Sequence, residues 1–198
     1  MEKRKILFFT NCELGQASIC LAVAHEFLTR QHHVHISSFP SLANAVSVLN
    51  IRASKLSSTS TSKATFHPID GLAMKEAIAQ KWDLNIFNIH EVGFWGALKA
   101  YNTALAMSIP WDGPQYMEVY RSCVEIIGKT QPDIIVVDPL FNQAKDACRI
   151  LGQKYIILSP NTFKEHVPQP WLANFWKYPQ YASTFLFSLP SMLTYVFK

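Results

Sequence analysis

Glycine-rich loops are missing from this sequence: only 7 of its 198 residues are glycine. Neither G-x-G-x-x-G nor G-x-x-x-x-G-K-S/T occurs, so the two common backbone cradles for phosphate are absent. Charge is sparse and nearly balanced. Lys and Arg total 18 against 14 Asp and Glu, and apart from Lys3, Arg4 and Lys5 the positive residues are scattered. Nucleic acid needs a clustered basic face, so it is not expected as a partner. The four cysteines, Cys12, Cys20, Cys123 and Cys148, show no CxxC spacing. At least three fall in or beside apolar helical patterns and read as reduced core thiols. Long apolar runs are lacking too. After the basic start, ILFF is broken by Thr10, Asn11 and Glu13, short of the about 7 to 15 residues of a signal core, and the chain is expected to begin in the cytosol. The tail YASTFLFSLPSMLTYVF, at 17 residues with Pro190 inside, falls short of the about 20 apolar residues of a spanning helix.

What is present is an apolar core in short periodic segments, 49% hydrophobic overall, enough for one domain or one domain with an appendage. Residues 5–10 read as a buried strand. Ile19, Val23 and Phe27, backed by Cys20, Ala24 and Leu28, then follow helix spacing. HVHISSF (33–39) is a second strand and SLANAVSVLN (41–50) a second helix with Ser41 as its N-cap. SKLSSTSTSK (54–63) has nothing to bury and reads as a loop. GLAMKEAIAQKW and FWGALKAYNTALAMS read as helices. A third starts at Pro114, carries Met117, Tyr120, Val124 and Ile127 on one stripe, and stops at Gly128. PDIIVVDP is the clearest strand, followed by a helix with Ala144, Ala147, Cys148 and Leu151 on one face and Gly152 as its cap, then YIILS. Strands alternating with helices predict an α/β fold: a Rossmann-like parallel sheet flanked by helices.

Between the first strand and first helix lies TNCELGQAS, where α/β proteins keep their chemistry. Gly15 alone is a turn residue. Other candidates carry less. His32, His33 and His35 are metal-like in composition, but only His33 and His35 share a strand face and no carboxylate or Cys lies nearby in sequence. His25 sits beside Glu26 as a surface residue. Ser159 is no nucleophile elbow, since G-x-S-x-G is absent.

The stretches KILFFTNCELGQASICLAVAHEFLTRQHHVHISSF, PDIIVVDPLFNQAKDACRILGQKYIILSP and NTFKEHVPQPWLANFWKYP resemble the N-terminal, acceptor-binding half of UDP-glycosyltransferases of the GT-B type, fungal branch. The resemblance spans nearly the whole chain, the Ser/Thr-rich region and residues 70–115 matching only in general character. It implies a single N-terminal half of a GT-B architecture: residues 1–160 as the Rossmann-like acceptor-binding domain and 161–198 as an aromatic, Pro-rich extension truncated before any donor-binding domain. The family's donor motif, rich in Trp, Gly, His, Asp and Gln, has no counterpart here. UDP-sugar is thus implied as co-substrate of the full-length family, with no cofactor or metal bound by this chain.

The family places a His directly after the glycine of the first loop, to take the acceptor's proton. Here that position is Gln16, whose carboxamide can orient a hydroxyl but cannot accept a proton near neutral pH. The Asp that orients the His matches Asp138, which as an Asp before Pro139 also serves as a turn residue. Glu13 is either a substitute base or a solvated loop acid. The family's acceptor pocket falls on the aromatic connections, which makes Trp95, Trp111 and Phe163, with Gly15 and Glu13, acceptor-binding candidates for a lipophilic, sterol-like or polyketide-like molecule. The apolar tail is a surface for a C-terminal donor-binding domain or for peripheral membrane contact. Two functions follow: the acceptor part of a hexosyl-transferring UDP-glycosyltransferase, inactive in isolation, or a non-catalytic acceptor-binding subunit that needs a separate donor-binding chain.

Overall fold

The computed structural model describes residues 2–56, 62–82, 96 and 109–160. Its regular elements belong to one compact unit, Met1–Lys81 with Pro110–Pro160. In chain order they are β1 (Lys5–Phe9), α1 (Leu14–Thr29), β2 (His33–Ser38), a single 3-10 turn (Pro40–Leu42), α2 (Ala43–Leu56), β3 (Thr65–Pro68), α3 (Met74–Lys81), α4 (Gly113–Thr130), β4 (Ile134–Val137), α5 (Asn142–Ile150) and β5 (Tyr155–Ile157).

The sheet has the order β3-β2-β1-β4-β5, and every pair is parallel. This is the expected α/β, Rossmann-like architecture. Alternation along β1 divides the core. Leu7 and Phe9 face α4 and α5, packing with Val119, Cys123, Phe141 and Ala147. Ile6 and Phe8 face α1 and α2, packing with Cys20, Ala24, Val46 and Leu49. A strand apolar on both faces is the signature of a buried parallel sheet, and β1 has four consecutive buried residues.

Several boundaries differ from the sequence reading, each for a local reason. Ser41 lies inside the 3-10 turn and does not cap. The second helix runs on to Leu56 because Leu49 and Ala53 still reach the core, so Ser54, Lys55 and Leu56 are helical and not part of a loop. Gly128 does not end α4, which continues to Thr130. The stop is made by Gln131 in the left-handed region (φ 45°) ahead of Pro132, a residue that disfavours helix before it. The buried stripe of α4 is Val119, Cys123, Ile126 and Ile127, while Met117 is exposed, a rotation of about one residue from the expected stripe. Gly152 does take the left-handed conformation after α5, and Gln153 N–H donates to Cys148 O at 2.8 Å, which closes the helix. Strand β3, TFHP, was not expected. The helix read over FWGALKAYNTALAMS lies outside the described residues, apart from Gly96. All four cysteines are free, three buried and Cys12 half-buried.

Candidate functional site

The chain leaves β1 toward β2 and then β3 on one side, while β4 and β5 occupy the other side of β1. The reversal sets a switch point beyond the carboxyl ends of β1 and β4, the crevice position where doubly wound sheets bind ligands. The loop after β1 and the loop after β4 meet there through Asp138. Its backbone N–H donates to Phe9 O at 2.9 Å. One carboxylate oxygen accepts from Leu140 N–H at 2.8 Å. The other lies 3.4 Å from both the Thr10 hydroxyl and the Asn11 N–H, which donate to it. Asp138 is only 1% exposed. Burial pushes its carboxyl above the ordinary range, and the bonds from Leu140, Asn11 and Thr10 and the charge of Lys145 pull it partly back. Asp138 therefore fastens two loops across the switch point, with its oxygens directed into backbone and hydroxyl donors and not into open space.

At the carboxyl ends of the strands and the helix starts that follow them, several uncharged groups have no partners among the described residues. Both polar atoms of Asn11 and of Gln143, and the hydroxyls of Ser37 and Ser38, are buried with no hydrogen-bond partner among the described residues, as is Oε1 of Gln16. Buried polar atoms cost free energy when unpaired, so such atoms beside a crevice mark a place where a polar ligand or water completes them. Two helix amino termini, those of α1 and α5, adjoin these loops, and neither has an acidic residue in its first turn.

Of the residues picked out in the sequence, Gly15 and Gln16 lie in the first turn of α1, next to the Asp138 cluster in chain order, and no hydrogen bond joins Gln16 to Asp138 among the described residues. Gly15 is exposed, and a side chain there would meet nothing within 4 Å. The Glu13 carboxylate accepts from Lys75 N–H at 3.3 Å and so ties the loop to the start of α3. Trp111 is buried and its indole N–H donates to Leu72 O at 2.7 Å, which anchors the segment before α3. Trp95 and Phe163 lie outside the described residues. Asn11 and Gln143 were not singled out in the sequence. Asn11 had the signal of its place in the first loop, whereas Gln143, in a helix start after β4, had none.

The histidines resolve differently. His33 is exposed, and His35 meets His67 from β3, ring nitrogens 2.9 Å apart. Both imidazoles are held below their ordinary pKa, His35 by burial and by His67, Lys5 and His33, and His67 by burial and by Lys129. Among the described residues no group of three or more His, Cys, Asp or Glu could hold a metal. Among the same residues no helix is long and apolar enough to cross a membrane.

No family model matches the chain. In sequence it is 28% identical over 198 residues to glycosyltransferase sdnJ of Sordaria araneosa, covering 96% of this chain and 38% of that protein. In fold it is similar to the glycotransferase of kitacinnamycin, with a TM-score of 0.55 at 16% identity over 89% of this chain and 34% of that one. It is likewise similar to the glycosyltransferase SsfS6 of Streptomyces sp. SF2575, with a TM-score of 0.52 at 14% identity over 79% of this chain and 39% of that one, a protein also solved with thymidine diphosphate. The chain spans little more than a third of the length of these relatives. In sequence the chain is thus similar to part of a glycosyltransferase, and in fold it is a Rossmann-like half domain similar to one half of GT-B glycosyltransferases, consistent with the N-terminal half.

Proposed function

We propose that this chain is the acceptor-binding part of a nucleotide-sugar-dependent glycosyltransferase that passes a hexose to a hydroxyl of a lipophilic acceptor, and that it transfers no sugar alone. The observation that carries the reading is the carboxyl edge of the sheet, where the amides of Asn11 and Gln143 and the hydroxyls of Ser37 and Ser38 are buried without partners among the described residues, close in the chain to the loops that Asp138 fastens. Neutral hydrogen-bonding groups of that kind suit an alcohol and offer little to a diphosphate. The donor, a UDP-sugar or TDP-sugar, would be held by the rest of a longer protein.

The proton is the difficulty. Gln16 stands where the resemblance implies a His, and a carboxamide cannot take a proton. Asp138 has a raised pKa, yet both its oxygens are engaged and it is shielded from solvent, so it orients the loops and does not reach the acceptor. This favours a second reading as well, a non-catalytic acceptor-binding subunit. The two separate in one experiment. The chain is fused to a donor-binding half from a relative and assayed with UDP-glucose, TDP-glucose and a panel of lipophilic alcohols, as wild type and as Gln16→His. Transfer that appears or rises by about 10² in the histidine variant supports the enzyme reading, in line with the usual contribution of a general base. Alcohol binding with no transfer in either form supports the subunit reading. Saturable micromolar UDP or TDP binding by the unfused chain in calorimetry overturns both.

A further inference from the structure

Away from the crevice, on the face carried by α1 and α2, lies an open groove of ≈ 800 Å³. Both helices return from the carboxyl to the amino ends of parallel strands, so they run side by side in the same direction. Their outward stripes form the walls. Leu21 from α1 and Val48 and Leu49 from α2 give an apolar stretch beside Ser18, Ala22 and Ala45, and His25, Arg52 and Lys55 complete the lining. These three lie in the second halves of their helices, so the bases gather at one end. That is where helix carbonyl ends favour cations.

The groove contains no acidic side chain among its described lining residues. The nearest acid in sequence, Glu26, is paired with Arg30 at 2.7 Å. Val48 keeps 39% of its surface exposed and its neighbour Ile51 55%, so the apolar wall is uncovered among the described residues. A groove of this volume lies within the about 300–1,000 Å³ of small-molecule sites. An occupant must be apolar along its body and negative at one end.

We propose that the α1–α2 groove binds a single-tailed amphipathic carboxylate, its chain along Leu21, Val48 and Leu49 and its head among Arg52, Lys55 and His25. The site is separate from the crevice and does not depend on the glycosyl-transfer reading.

Dodecanoate, kept below its micelle concentration, is titrated into the 198-residue chain and followed by calorimetry and by amide shift mapping. Saturable one-to-one binding is expected, with shifts on α1 and α2. Dodecanol and acetate, which lack the head and the tail respectively, are expected to bind at least about tenfold more weakly, a difference of about 1.4 kcal/mol. Arg52→Glu with Lys55→Glu should weaken dodecanoate by about tenfold or more, and the milder Arg52→Gln with Lys55→Gln by less, with the melting temperature unchanged because both side chains are exposed. Val48→Asp should weaken it at the other end. The proposal is overturned by absence of saturable binding, by equal affinity for dodecanol, by affinity indifferent to these substitutions, by shifts confined to the β1 and β4 loops, or by an acidic helical peptide displacing dodecanoate at lower concentration.

Discussion

Asp138 holds two loops with one carboxylate, and its removal would strand two backbone donors, while the Thr10 hydroxyl keeps Asn11 O as an acceptor at 3.1 Å. The Asp138→Ala chain should be less stable by about 1–3 kcal/mol, since the Leu140 and Asn11 N–H groups stay buried without their acceptor; urea unfolding measures this, and an unchanged midpoint would show the carboxylate to be dispensable to the fold. Its position was legible because an Asp closing a strand run stands out, but its burial and its use of both oxygens were not, since they depend on Thr10 and Asn11 arriving from more than a hundred residues away. Glu13 and Trp111 both brace the amino-terminal end of α3, through Lys75 N–H and Leu72 O, contacts that their residue types do not announce.

Among the elements, α4 is the best defined at its start. The Asp112 side chain accepts from Gln115 N–H, and the Gln115 side chain accepts from Asp112 N–H in return, a reciprocal capping box. Asp112→Ala should cost about 1 kcal/mol, within a range of about 0.5–2. Gly128 sits inside the same helix, exposed, with nothing within 4 Å of an added side chain. Gly128→Ala should therefore raise stability by about 0.5–1 kcal/mol by lowering the entropy of the unfolded chain. Both are read from denaturant midpoints, and a loss at Gly128→Ala would contradict its place in the helix interior. Strands with unbroken apolar runs were legible in the sequence. β3 was not, because TFHP has only Phe66 to bury and owes its existence to pairing with β2.

The molecule as a whole should lose stability in mild acid through its histidine pair. His35 and His67 have folded pKa values below the ordinary 6.5, so the unfolded chain binds protons more readily. Their contribution is therefore intact above about pH 6.5 and is lost as pH falls through the depressed folded values. Asp138 acts in the reverse sense, its raised value favouring the fold below the carboxylate range and being lost as pH rises through it. Melting temperatures between about pH 7 and pH 5 should fall for the wild type and fall less for His67→Gln; parallel curves would remove the pair from the balance.

The order of the sheet also sets a timetable. β1 is the first element made and the central strand, yet its neighbour β4 follows so late that the bonds joining them span 128 residues. Until β4 emerges, β1 can pair only with β2, which carries β3 on its far edge, with α1 and α2 on one side. At about 5–20 residues per second of synthesis, that is a wait of about 6 to 25 s. During it Leu7 and Phe9 have no α5 to cover them. A ribosome carrying the first half of this chain thus holds out a half-dressed sheet, one face closed and the other greasy, and that interval is when a holding chaperone would be needed most.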